Sequence, residues 1–136
     1  MLGPCSRSAL VSEGLDIRKI TVLVVEDQPL LRLHAIDMIE DAGFTAVEAE
    51  DADAAIAILM LSADIQLVFT DIEMPGSMDG IQLAALVRDR WPPMHIIVTS
   101  GRGLLDASTL PVGCPFIAKP PIWPALIETM RSLTAA

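Results

Sequence analysis

The sequence predicts an α/β fold, a doubly wound parallel sheet of five strands, and three observations carry that prediction. Short β-branched runs alternate with amphipathic stretches along the whole chain. The runs are apolar at nearly every position, as in strands covered on both faces, and do not show the in–out alternation of a half-solvated sheet. Four of the five runs also end in a polar or charged residue, which places those groups along one edge of such a sheet.

The elements follow in order. Residues 1–18 mix Ser, Gly, Pro and charge without period and read as a flexible N-terminal extension, leaving 19–136 as the ordered domain. Ile20–Val25 is a continuous apolar strand. Pro29 suits the first turn of a helix, which should bury Leu31, Ala35, Met38, Ile39 and Ala42 and stop at Gly43. Phe44–Ala49 is a weaker second strand, and Asp51 can cap a helix running to about Ser62. Ile65–Thr70 is the third strand, with Asp71 following it. After the loop Glu73–Met78, Asp79 can cap a helix over Gly80–Arg90 that Trp91-Pro92-Pro93 terminates. His95–Thr99 is the fourth strand, ending at Ser100-Gly101. Between Arg102 and Cys114 two glycines and a proline leave only Leu104–Leu110 for regular structure, a segment expected to be the most mobile of the domain. Pro115–Ala118 is a short fifth strand, and a last helix starts near Ile122 with Trp123, Leu126, Ile127 and Met130 on its apolar face.

A chain of 136 residues holds one ordinary domain, and 52% hydrophobic content makes it globular. Its apolar runs are too short to span a bilayer. With 18 acidic against 9 basic residues the net charge is −9, which disfavours nucleic acid as a partner. Cys5 and Cys114 are distant and lack metal-ligand spacing, which fits reduced thiols in a cytoplasmic protein. His34 and His95 are isolated and read as surface or core-edge residues.

In a doubly wound sheet, ligands bind beyond the carboxyl ends of the strands. Strand one ends in Glu26-Asp27, strand three at Asp71, strand four in Thr99-Ser100, and strand five runs into Lys119. Three carboxylates brought together raise one another's pKa or demand a cation, and one lysine cannot neutralise them. Oxygen ligands without His or Cys select a hard ion, and one that keeps several waters is Mg²⁺. A metal, a lysine and a hydroxyl together can balance a phosphoryl group, which an aspartate can accept as an acyl phosphate.

Glu26-Asp27, Asp71 followed by Met74-Pro75, Ser100-Gly101 and Phe116-Ile117-Ala118-Lys119-Pro120 resemble the response-regulator receiver domain. The likeness runs from about Ile20 to Leu133. It implies a CheY-like, flavodoxin-like (βα)5 fold with strand order 2-1-3-4-5. It also implies a single-domain response regulator that takes a phosphoryl group from a histidine kinase or a histidine phosphotransfer protein and switches shape to control a protein partner. Asp71 is then the phosphoacceptor. Asp27 and Asp71 bind Mg²⁺ with the backbone carbonyl of Glu73, and Glu26 acts through water. Ser100 and Lys119 contact the phosphoryl group. Ser100 and Phe116 are switch residues, Glu73 and Gly101 tune the lifetime of the phosphoryl group, and the Lys119-Pro120 bond is cis. The resemblance implies neither turnover of an independent substrate nor membrane insertion, and a homodimer is compatible with it. The chain departs from the usual pattern in a short Ser100–Lys119 segment and a slightly longer loop after Met74-Pro75.

Three rivals stand beside this reading. An aspartyl-phosphate phosphohydrolase or phosphotransferase would carry a second acid shortly after the nucleophile, where Glu73 stands, but would also need a cap over its substrate. A flavodoxin-type cofactor binder needs a phosphate-cradling loop after strand one, where this chain has Glu26-Asp27-Gln28-Pro29. A phosphorylation-independent interaction module would not need Asp27, Asp71 and Lys119 together.

Overall fold

A computed structural model of the chain describes residues 20–102, 110–111 and 113–135. Five strands, β1 (Thr21–Val25), β2 (Thr45–Ala49), β3 (Ile65–Asp71), β4 (His95–Ser100) and β5 (Phe116–Ala118), pair in parallel in the order β2-β1-β3-β4-β5. Four helices are seen among the described residues: α1 (Pro29–Asp41), α2 (Ala52–Leu61), α3 (Gly80–Arg90) and α4 (Trp123–Thr134). The predicted fold class holds. The expected extension at 1–18 and most of the expected Leu104–Leu110 stretch lie outside the described residues.

The pleat explains why the strands read as unbroken apolar runs. Along β1, Leu23 and Val25 face the cluster built with Ala52, Ala55 and Leu59 of α2 and Leu83, Ala84 and Val87 of α3. Val22 and Val24 face the opposite cluster, built with Ala35 and Ile39 of α1 and Leu126, Ile127 and Met130 of α4. Both faces are covered, so both sets of alternate residues must be apolar. Each fully buried Leu, Ile or Val side chain contributes roughly 1.5–3 kcal/mol by leaving water.

Local signals set most helix ends. Pro29 opens α1. The Asp51 carboxylate accepts the Ala54 N–H at 2.8 Å to start α2. Asp79 and Gln82 form a reciprocal capping box at α3, each accepting the other's backbone N–H at 2.9 Å. One expectation is corrected and two are refined. The buried face of α1 is Ala35 and Ile39, supported by Ile36 and Ala42; Leu31 is 43% exposed and Met38 only half-buried, because α1 rolls toward β2 and α4. Asp71 is the last residue of β3, and the ladder continues one step past it, since Ile72 N–H donates to Thr99 O at 2.8 Å. On α4, Leu126, Ile127 and Met130 are buried, and Trp123, half-buried, packs against the same cluster.

Gly80 has a specific structural reason. A Cβ there would collide with the backbone carbonyl of Asp71, and the Gly80 N–H donates to Ile72 O at 2.9 Å. The first residue of α3 is thereby pressed against the end of β3, which locks the backbone around Asp71. Among the described residues, no helix is long and apolar enough to cross a membrane.

Candidate functional site

The strand order reverses between β1 and its neighbours β2 and β3, and the acidic residues gather at the carboxyl end of that switch. Glu26 and Asp27 directly follow β1, and Asp71 ends β3. One carboxylate oxygen from each of the three lies within 4.8 Å of the others. Lys119, which follows β5, reaches in from the far side of β4. Its Nζ donates to Glu26 Oε1 at 2.8 Å and to Asp71 Oδ2 at 3.0 Å.

Asp71 and Glu26 are almost fully buried and Asp27 is half-buried. Burial pushes the Asp71 carboxyl above the ordinary value. The hydrogen bond and charge of Lys119 oppose that shift, while the charges of Glu26 and Glu73 add to it. For Lys119 burial works toward a lower pKa, but its hydrogen bonds to Glu26 and Asp71 outweigh it and the pKa is raised. The ammonium is therefore held charged between two acids, and three acids still outnumber it. That surplus, presented by oxygen atoms alone, fits a hard divalent cation.

The backbone around the site is tied down. Gln28 N–H donates to Glu26 Oε2 at 3.1 Å, and Glu73 N–H donates to Asp71 Oδ1 at 3.3 Å. Lys119 N–H donates to Ser100 O at 3.0 Å, linking the ends of β4 and β5. The Lys119-Pro120 peptide bond is cis.

Two of the candidate residues make further contacts. Glu26 is placed in direct ion pairing with Lys119, because the lysine enters between the β1 and β3 ends and Glu26 is the deeper of the acid pair. Ser100 is buried at the end of β4, yet its hydroxyl donates to Glu73 Oε2 at 2.5 Å and accepts the Arg102 N–H at 3.0 Å. The Ser100 hydroxyl is thereby tied to the Glu73 side chain, two residues after Asp71. Phe116 is half-buried in the edge strand β5, and Gly101 is exposed with open space where a Cβ would stand.

Two contributors were not read from the sequence. Arg32 donates to Glu26 O at 2.9 Å and to Glu48 Oε1 at 2.7 Å, bracing the β1 exit against β2. Its helix position, three residues into α1, was the only signal available. Gly80 acts through a close approach that only the packed fold reveals. Thr99, read from the sequence as part of the polar end of the fourth strand, is buried beside Asp71 in the β3–β4 register.

Residues 22–110 match the family described as "Response regulator receiver domain". Among curated proteins, the chain is 30% identical over 103 residues to the nitrogen assimilation regulatory protein NtrX of Azorhizobium caulinodans, covering 73% of this chain and 22% of that protein. It is 38% identical over 85 residues to the response regulator protein FleR of Pseudomonas aeruginosa, covering 62% and 18%. The chain thus spans about a fifth of the length of these relatives. Among solved structures, a response regulator receiver protein from Sinorhizobium medicae superposes with a TM-score of 0.80 at 30% identity, over 87% of this chain and 96% of that one.

Proposed function

The chain belongs to the response-regulator receiver family, and from that premise we propose that Asp71 accepts a phosphoryl group and thereby switches the conformation of the domain. The observation that carries this reading is the placement of Lys119 Nζ on both Glu26 and Asp71, within a buried acid cluster that retains surplus negative charge.

The donor is a phosphohistidine on a histidine kinase or a histidine phosphotransfer protein. An Asp71 carboxylate oxygen attacks phosphorus, the P–N bond breaks, and the imidazole nitrogen keeps the bonding pair and takes a proton. Asp71 becomes an acyl phosphate, and attack by water later returns the carboxylate and inorganic phosphate. Asp27, Asp71, Glu26 and the Glu73 carbonyl would hold Mg²⁺, which when bound neutralises charge around the phosphoryl oxygens. Lys119 supplies a fixed cation to the same group, already oriented by two ion pairs. Ser100 reaches the phosphoryl group by giving up its hydrogen bond to Glu73, so that one hydroxyl reports the state of Asp71. Glu73, two residues after Asp71, and Gly101, next to Ser100, would set how long the acyl phosphate lasts. Phe116, half-buried on the edge strand, would turn inward once Ser100 moves.

The test is labelling by acetyl phosphate. The protein should incorporate one phosphoryl group in Mg²⁺, none in chelator, and none after Asp71→Asn. Steady release of phosphate from a separate ester substrate would point instead to a phosphohydrolase, and full labelling of Asp71→Asn would remove Asp71 from its role.

A further inference from the structure

The backbone leaving β1 is held by two neighbours. Glu26 N–H continues the ladder to β2, donating to Ala49 O at 3.1 Å. A continuing parallel ladder would next bring a strand amide to Glu26 O. β2 ends at Ala49, however, and the chain turns at Asp51 into the cap of α2. A carbonyl left at a strand end in this way needs another donor. Arg32 supplies it from α1, its Nη1 donating to Glu26 O at 2.9 Å.

The other side of the same guanidinium is anchored on β2, where Arg32 Nε donates to Glu48 Oε1 at 2.7 Å. Glu48 lies two residues after Ala46, which packs in the cluster under α1, so both stand on the face that α1 covers. One rigid fork on one helix thus spans the ends of two strands. The Glu48 side chain is 53% exposed, and an ion pair so open to water adds little to stability. What the contact fixes is position.

Asp27 is the residue that this fixes. It directly follows Glu26, and Gln28 beyond it is pinned as well. Gln28 N–H donates to Glu26 Oε2 at 3.1 Å, and Gln28 O accepts the Arg32 N–H at 2.9 Å. Lys119 pairs with Glu26 and Asp71 but, among the described residues, makes no ion pair with Asp27. The aim of the Asp27 carboxylate, which brings an oxygen within 4.8 Å of the other two acids, is therefore left to its backbone.

We propose that Arg32 is a positioning residue for Asp27: by clamping Glu26 O to Glu48 it fixes the geometry of the acid cluster and makes that cluster selective for Mg²⁺ over larger divalent cations. Arg32 acts through the backbone and not as a ligand. The proposal rests on the reading that Glu26, Asp27 and Asp71 hold a divalent cation. Mg²⁺ demands near-ideal octahedral geometry at about 2.0–2.1 Å, whereas Ca²⁺ accepts flexible arrangements at about 2.3–2.6 Å. Loosening the backbone on one side of the cluster therefore costs Mg²⁺ more than Ca²⁺. Charge alone makes the opposite prediction, since deleting a cation near three carboxylates would tighten both ions alike.

Titration calorimetry of the whole chain with Mg²⁺ and, separately, Ca²⁺ decides between the two, with thermal melts confirming that each variant is folded at the titration temperature. Arg32→Lys keeps the charge but replaces the planar fork with a single point donor. Arg32→Gln combined with Glu48→Gln removes the pair, leaves the net charge unchanged and strands no carboxylate. Both variants should bind Mg²⁺ roughly tenfold more weakly, the lower end of the span for losing a group that orients a metal ligand. Ca²⁺ affinity should stay within about twofold of the parent, so the preference for Mg²⁺ falls at least about fivefold. A loss of folding stability alone would leave that preference unchanged. Unchanged or tighter Mg²⁺ binding in either variant, or an equal shift for the two ions, overturns the positioning role and leaves the metal site standing. If the parent itself fails to bind Mg²⁺, the reading of the acid cluster as a Mg²⁺ site fails and the role of Arg32 with it.

Discussion

Lys119→Met isolates the electrostatics of the site, since methionine keeps much of the aliphatic stem and removes only the charge. The change leaves Glu26 and Asp71, with side chains 8% and 4% exposed, without their shared cation. Removing one partner of a buried ion pair costs about 3–5 kcal/mol. Lys119 itself keeps 19% side-chain exposure, so the lower figure applies, about 3 kcal/mol. For a domain of this size each kcal/mol moves the melting temperature by about 4 °C, giving a fall of about 12 °C in chelator. Magnesium should return more stability to the variant than to the parent, because the variant presents the same three carboxylates with no competing ammonium. A ligand at about one hundred times its Kd adds about 2.7 kcal/mol, enough to offset most of the loss. Acidification should narrow the gap too, as the stranded carboxylates take up protons. Thermal melts in chelator and in Mg²⁺, each at neutral and mildly acidic pH, supply the four measurements. A fall under about 3 °C in chelator, or an equal fall in both buffers, would show that Lys119 does not neutralise this cluster.

Further outcomes follow from the same geometry. The Asp71 pKa is raised by burial, so the native state binds its proton more tightly than the unfolded chain. The associated stability is present below the unfolded value of 3.8 and is lost as pH rises through the raised native value. Asp71→Asn should therefore stabilise the metal-free protein at neutral pH by about 1.4 kcal/mol for each unit of that elevation, with the gain fading below pH 3.8; urea unfolding across pH reads it, and a destabilised variant at neutral pH would refute the sign. The Lys119 pKa is raised as well, so its contribution is complete below 10.5 and should be lost only at more alkaline pH, visible as a base-induced drop in melting temperature that Lys119→Met lacks. Glu73→Ala releases the Ser100 hydroxyl from its carboxylate partner, a hydrogen bond worth about 1.5 kcal/mol, so beryllofluoride should bind up to about tenfold tighter; weaker binding in a titration calorimeter would mean that Glu73 assists the activated state. Gly80→Ala drives a Cβ into the Asp71 carbonyl and should cost about 1–3 kcal/mol and weaken Mg²⁺ binding together, whereas an unperturbed metal affinity would separate the α3 contact from the site.

The sequence by itself determined the fold class, the element order and most helix starts, because these rest on short-range physics. Unbroken β-branched runs identify strands covered on both faces, and Pro29, Asp51 and Asp79 act within a few residues of where they stand. It also nominated Glu26, Asp27, Asp71 and Lys119, since the parallel architecture alone sends strand ends to one edge. Only the tertiary structure decided how those groups divide their charge. Lys119 and Glu26 are 93 residues apart, and their pairing depends on the depth at which β1, β3 and β5 end relative to one another, which no local pattern encodes. The same holds for Ser100, whose partner Glu73 is 27 residues away on a loop whose course is set by the contact of Gly80 with Asp71. The buried side of α1 shifted from the predicted stripe because an amphipathic pattern with apolar residues on several sides is resolved by what packs against it, here β2 and α4.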